Sequence, residues 1–311
     1  MKKYAIGADI GGSHISCAVI DLEKETIIRE SFATQKVDNQ ASADDILESW
    51  AIALKKSIKH IDSNQLAGIG FAMPGPFDYE KGIAMFTESV AKYQKLHGVN
   101  VAKRLKEILE LGEGTDVRFM NDASAFAIGE AWMGKASKVD RSVSITLGTG
   151  FGSAFVDNGV VVVERDDVPP MGCVWHLPYK GGIADDSFST RWFIKRYAEL
   201  SSHHLSGVKE IADRITTDEK AMEVFAEFGT NLGDFLGPWL NKFRAEALVI
   251  GGNVTGAYNL FGNHFEKALR TNKVTATIHI SEHMEDAAII GSARMFDVAF
   301  WEKIKHLLSK M

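Results

Sequence analysis

The stretch Asp9-Ile10-Gly11-Gly12-Ser13-His14 joins two apolar runs, and Thr146-Leu147-Gly148-Thr149-Gly150-Phe151-Gly152 does the same, with Gly148 lying 137 residues after Gly11. Residues 4–10 and 17–22 flank the first loop and read as strands of a covered sheet. Residues 142–147 and 152–156 flank the second, followed by a turn at Asp157-Asn158-Gly159 and a strand over 160–164. Strand, glycine loop, strand, met twice in one chain, predicts a duplicated unit. Between the two copies, Ile46, Trp50, Leu54 and Ile58 recur at helical spacing over 42–61, with Ser42 as N-cap. A buried strand follows over 66–72, stopped by Pro74-Gly75-Pro76. Then come a helix over 101–109, a strand over 117–120 and a helix over 123–133 that ends at Gly134. This alternation predicts α/β layering. Further on, 195–241 reads as mostly helical, with Val224, Phe228, Leu232, Phe235 and Leu236 on one core-facing side. A strand over 246–252 runs into Gly251-Gly252, and 287–308 is helical in pattern.

The chain has 311 residues, which at about 150 residues per domain suggests two domains. It is 45% hydrophobic and 24% charged, an ordinary folded composition. Thirty-five basic and 41 acidic residues give a net charge of −6, which removes the electrostatic drive toward nucleic acid or anionic lipid. Cys17 and Cys173 are the only cysteines, so no CxxC pair exists to hold zinc and a reducing cytoplasm fits. No apolar run approaches the roughly 18 residues of a membrane helix, and Asp9 interrupts the N-terminal apolar stretch before it could serve as a signal core.

The glycine loops suggest phosphate chemistry. Glycines let the backbone bring its N–H groups toward an anion, Ser13 adds a hydroxyl donor, and Asp9 could hold Mg²⁺ directly or through water. The bland alternative is a hairpin turn capped by a carboxylate. The second loop adds Gly148, Thr149 and Gly150, and a third, Gly251-Gly252-Asn253, precedes a helix whose start could meet a nucleotide. No GxxxxGK[ST] is present, and no GxGxxG is followed by a suitably spaced acidic residue.

With DIGGS at 9–13, MPGPFD at 73–78, NDASAFAIGEA at 121–131, LGTGFGSA at 147–154 and VIGGNV at 249–254, the sequence resembles the ROK family of sugar kinases, within the actin-like ATPase superfamily. The resemblance runs over nearly the whole chain. It implies two actin-like, ribonuclease H-like α/β domains with a cleft between them. Domain boundaries are expected at 1–120, completed by a C-terminal helix of about 290–311, and at 121–289. It also implies that 9–13 and 147–150 are the phosphate loops for ATP and that 251–253 lies beside the adenosine.

Asn121-Asp122 sits where a strand hands over to a helix, the usual ligand edge of open α/β folds. A kinase of this kind needs one carboxylate to take the proton of the attacking hydroxyl, and Asp122 is the candidate. The alternative is that Asn121 or Asp122 merely caps the helix. The resemblance makes Asp122 the base and Asn121 a sugar ligand, with Gly75 bringing backbone N–H to a sugar hydroxyl; a simple proline turn is equally good physics for Gly75.

The sequence departs from the family at the sugar site. Where the family carries Glu-x-Gly-His, this chain has Cys173-Val174-Trp175-His176, and Asp185 stands in the place of a second glutamate, with Asp186 equally placed. Asp185 comes only nine positions after His176, too few for the family's cysteine-rich zinc loop, so zinc is not expected. A thiol is a weak partner where a carboxylate would accept charge-assisted bonds. His176 reads as a sugar contact or a structural histidine, Trp175 as an aromatic face or core filler, and His203-His204 as surface. The leading expectation is an ATP- and Mg²⁺-dependent kinase of a hexose or modified hexose. A sugar-sensing regulator or a pseudokinase is the alternative, polyphosphate remains open as donor, and a homodimer is an assembly common in the family.

Overall fold

The computed structural model describes residues 2–87 and 92–311. The chain forms two compact units, one of 1–137, 159–161 and 285–311, the other of 138–158 and 162–284. The first opens on β1 (Tyr4–Ile10), β2 (His14–Asp21) and β3 (Thr26–Lys36), then α1 (Ala43–Ile58) and β4 (Leu66–Met73). A small hairpin, β5 (Phe77–Asp78) and β6 (Ile83–Ala84), precedes α2 (Val101–Ile108), β7 (Asp116–Asn121) and α3 (Asp122–Met133). The strands order as β3-β2-β1-β4-β7, the first three antiparallel and β1, β4 and β7 parallel. Trp50 and Leu54 of α1 are fully buried, as are Ile6, Ile69 and Phe71 of the sheet, and Ser42 caps α1 through the Asp45 amide at 3.2 Å.

After α3 come β8 (Arg141–Leu147), β9 (Phe151–Asp157), β10 (Val160–Val161), the hairpin β11 (Pro178–Tyr179) and β12 (Gly182–Ile183), and the single turn α4 (Ala184–Ser187). Then follow α5 (Thr190–Ser201), α6 (Val208–Ala212), α7 (Glu219–Phe243), β13 (Ala247–Gly251), α8 (Tyr258–Thr271) and β14 (Thr277–Ile280). These strands order as β10-β9-β8-β13-β14, with β8 antiparallel to β9 and parallel to β13, and β13 parallel to β14. Strand for strand this repeats the first sheet, so the duplication expected from the glycine loops is present in the topology. Phe193, Phe225, Phe228 and Phe265 are fully buried in the core of the second unit. Phe235 lies at its margin, only partly buried.

The chain ends with α9 (Glu285–Arg294) and α10 (Val298–Ile304), both in the first unit. The division falls at 137/138 and 284/285 rather than at the expected 120/121 and 289/290. The reason is the contact of α3 with α9. A Cβ on Gly129 would lie 1.9 Å from the carbonyl oxygen of Ala287, and one on Gly291 would lie 1.8 Å from that of Ala125, so the two helix backbones touch. β3 lacks the continuous apolar run of its neighbours: its side chains are mostly exposed or half-buried, with only Ser31 and Ala33 buried. β10 ends at 161, three residues short of the expected 164.

Candidate active site

β1 and β2 pair as far as Ile10 and Ile15, and the turn between them is Gly11-Gly12-Ser13. All three carbonyls of this turn are tied back. The Tyr93 hydroxyl donates to Gly11 O at 2.6 Å, the Asn39 side-chain amide donates to Gly12 O, and Val37 N donates to Ser13 O at 2.8 Å. The amides of Gly12 and Ser13 have no partner among the described residues. The corresponding turn of the second unit, Gly148-Thr149-Gly150, is built alike. Thr190 donates to Gly148 O through both N, at 2.8 Å, and Oγ1, at 2.9 Å; Arg191 Nη1 donates to Thr149 O at 2.5 Å; and Gly148 N closes on Gly150 O at 3.0 Å. Here too the amides of Thr149 and Gly150 are unpartnered among the described residues. Backbone turns whose carbonyls are engaged and whose N–H groups are spare can donate to an anion.

Asp9, at the end of β1, stands among other carboxylates. Burial, then the charges of Asp122 and Glu285, push its pKa up to about 8. Asn121 is the N-cap of α3, its Oδ1 accepting from Ser124 N at 3.2 Å, so Asp122 is released from capping. Asp122 Oδ1 accepts from Ala123 N at 2.8 Å and from Asn121 Nδ2 at 3.1 Å, bonds that do not engage Oδ2. Burial raises the Asp122 pKa, against the lowering effect of the Ala123 amide, Lys92 and Asn121. The Tyr79 hydroxyl links this corner to Gly75: it lies 3.4 Å from Asn121 Nδ2 and 3.4 Å from where a Cβ on Gly75 would stand. Gly75 itself is exposed.

In the second unit, Asp185 is committed to the glycine turn. Its Oδ1 accepts from Phe151 N at 2.6 Å and its Oδ2 pairs with Arg191 at 2.6 Å. Asp186 instead accepts from Ile183 N at 3.1 Å, at the start of α4. Cys173 Sγ lies 3.7 Å from His176 Nδ1. Burial pushes the Cys173 thiol up to about 11 and lowers the His176 pKa, so at neutral pH the thiol stays protonated. The Trp175 ring is half-exposed and meets His176 edge-on at 5.5 Å. Gly252 has φ +86°, and a Cβ there would lie 2.4 Å from Leu147 O, so the third glycine loop packs on the second. The element after it is a 3-10 turn, Asn253–Ala257, before α8 begins, and Asn253 is exposed.

A profile described as the ROK family matches residues 5–298. The chain belongs to the ROK family. Among curated proteins this ROK chain is similar to the glucokinase of Thermotoga maritima, 26% identical over 94% of the chain and 96% of that protein. It is likewise similar to the N-acetyl-D-glucosamine kinase of Haemophilus influenzae, 27% identical over 93% of the chain and 98% of that protein. Among solved structures, a ROK family glucokinase from Streptomyces griseus in complex with glucose and AMPPNP superposes with a TM-score of 0.71 at 22% identity, covering 94% of this chain and 98% of that one.

Asn39, Tyr79, Lys92, Tyr93, Thr190, Arg191 and Glu285 were not singled out from the sequence. Tyr93 and Gly11 are 82 positions apart and Asn39 and Gly12 are 27 apart, so no local pattern announces them. Arg191 carried the one local signal, a cation six residues after Asp185.

Proposed function

We propose that this sugar kinase transfers the terminal phosphoryl group of ATP to a hydroxyl of a hexose or modified hexose, most simply the one on C6, with Asp122 as general base. The observation that carries the reading is the matched pair of glycine turns, each with engaged carbonyls and two spare amides. On this reading Gly11, Gly12, Ser13, Gly148, Thr149 and Gly150 hold phosphate oxygens, and Gly251, Gly252 and Asn253 border the adenosine.

Asp122 Oδ2 accepts the hydroxyl proton as the oxygen attacks, while Oδ1 stays fixed by Ala123 N and Asn121. Asn121, Gly75 and His176 orient the sugar. Asp185 reaches it only with whatever accepting capacity remains after Phe151 N and Arg191. Cys173, a neutral thiol, contributes no charged acceptor.

Among the described residues no group of three or more His, Cys, Asp or Glu could hold a metal ion. Mg²⁺ bound with a nucleotide needs only one or two carboxylates and keeps several waters. Asp9 fits that role, because a divalent cation would relieve the like-charge crowding by Asp122 and Glu285. When bound, Mg²⁺ would supply charge neutralisation for the nucleotide phosphates.

No helix among the described residues is long and apolar enough to cross a membrane, and both cysteines are free. We set the enzyme in the cytoplasm, with a sugar and not nucleic acid or membrane as its partner, and with a homodimer as the assembly to test by light scattering. The deciding experiment measures ADP release across hexoses and N-acetylhexosamines for the parent and for Asp122→Asn. A folded Asp122→Asn protein should lose roughly 10²–10⁴ in kcat. A variant that keeps most of its kcat removes Asp122 from the role, and silence of the parent with every sugar favours a pseudokinase.

A further inference from the structure

The carboxylates of Asp122 and Glu285 both act on Asp9 beside the first glycine turn. A polyphosphate approaching them meets like charge, in a chain already at net −6. Two basic side chains of the first unit stand at this turn. His14 faces Glu285, its Nε2 3.9 Å from Oε2. Lys92 makes no hydrogen bond or ion pair with any described residue. Its side chain lies against Gly12, where a Cβ would come within 2.6 Å of Lys92 Cε and 2.7 Å of Nζ. That closeness places the ammonium beside the two spare amides of the turn.

The backbone at Lys92 is anchored by the next residue. Tyr93 is fully buried, adopts φ +59°, donates its amide to Asn39 O at 3.1 Å and its hydroxyl to Gly11 O at 2.6 Å. The segment that fixes the turn's carbonyls thus also delivers the charge. Lys92 acts electrostatically on Asp122 as well, so one ammonium is within range of both the anion-binding turn and the proposed base.

Resting on the kinase reading above, we propose that Lys92 is a catalytic residue, whose ammonium contacts the phosphoryl group in flight between the Gly11–Ser13 turn and the hydroxyl held by Asp122. In that step the sugar oxygen forms a bond to phosphorus and the bond from phosphorus to the leaving ADP oxygen breaks. The hydroxyl proton passes to Asp122, and Lys92 stays protonated throughout. Its effect is to offset charge that spreads over the equatorial oxygens in the transition state, which is worth more there than in the bound substrate.

The test is steady-state kinetics of the full chain with ATP, Mg²⁺ and whichever sugar the parent turns over fastest. Lys92→Met should lower kcat roughly 10²–10³-fold while the sugar KM moves less than about threefold. Lys92→Arg should recover at least about a tenth of the parent rate by restoring charge, and exposed Lys95→Met should leave it unchanged. Lys92→Gln, polar and nearer in size, carries the same expectation as Lys92→Met should the latter fold poorly. An active parent whose Lys92→Met and Lys92→Gln forms stay within about threefold in kcat overturns this assignment alone. A parent inactive with every sugar overturns the kinase reading, and this assignment with it.

Discussion

Asp9→Asn should stabilise the protein free of nucleotide and metal, and do so increasingly as pH rises. In the unfolded chain Asp9 ionises at its ordinary pKa of 3.8, whereas in the folded chain it stays protonated until about 8. Between those values folding takes up a proton, so Asp9 lowers stability progressively as pH rises from about 4 to about 8. The shift is about four units, and at about 1.36 kcal/mol per unit it sets an upper bound of ~5–6 kcal/mol. Of this, ~3–4 kcal/mol accumulates between pH 5 and pH 8. Screening by water and salt at the open edge of the turn should leave about half, ~2 kcal/mol. The chain has two units, so the measurement must report on the first alone. Amide hydrogen exchange of Ile6 and Ala8, buried in β1, does so in EDTA-treated protein. The opening free energy of the parent should fall by about 2 kcal/mol from pH 5 to pH 8 relative to Asp9→Asn. Parallel pH profiles for the two proteins would refute the raised Asp9 pKa that burial and then the charges of Asp122 and Glu285 produce. Adding Mg²⁺ and nucleotide should remove the advantage of Asn.

Other consequences are as direct. Because the Asp122 pKa is raised, the acidic limb of kcat/KM should lie above the usual carboxylate range, with activity rising as Asp122 deprotonates; a limb near pH 4 contradicts this. Gly291→Ala should cost about 1–3 kcal/mol in the first unit, since its methyl would stand 1.8 Å from Ala125 O; a melt unchanged within a degree argues against the helix contact. Arg191→Met should raise the KM for ATP by freeing Thr149 O and Asp185, and an unchanged KM would separate that pair from the turn. Cys173→Glu should raise kcat/KM for an unsubstituted hexose roughly 10-fold or more, as a charge-assisted bond worth about 1.5–3 kcal/mol allows.

The parts of the site legible in the sequence are those whose chemistry is local. Gly11-Gly12-Ser13 and Gly148-Thr149-Gly150 each follow a strand and precede another, so composition and spacing place them without tertiary information. The same holds for Asn121-Asp122, where a capping residue and an apolar helix share one short stretch. The sequence left both residues as cap candidates; the contact of Asn121 with Ser124 N makes the choice. What the sequence does not announce is the set of groups that fix the turns, because Tyr93, Asn39 and Thr190 act through main-chain oxygens, and any hydroxyl or amide far along the chain could do that. Asp185 shows the converse. Its position in a family motif suggested a sugar ligand, while in the structure both of its oxygens serve the neighbouring turn. α3 follows β7 without a linker, so no break in the sequence marks the division after residue 137; the packing of α3 on α9 groups it with the first unit.

That packing has a bearing on the order in which the molecule can be made. The second unit, apart from residues 159–161, is one continuous run from 138 to 284, and all of it is synthesised and emerges ahead of α9. Until residues 285–294 emerge, the first sheet lacks the helix whose backbone seats against Gly7 and Gly70. The amino-terminal unit, synthesised first, is therefore the last to close. A nascent chain stalled so that residue 284 has cleared the exit tunnel while α9 is still inside it should carry a folded second unit beside an incomplete first one. That reverses the usual sequence in which domains mature as they are translated.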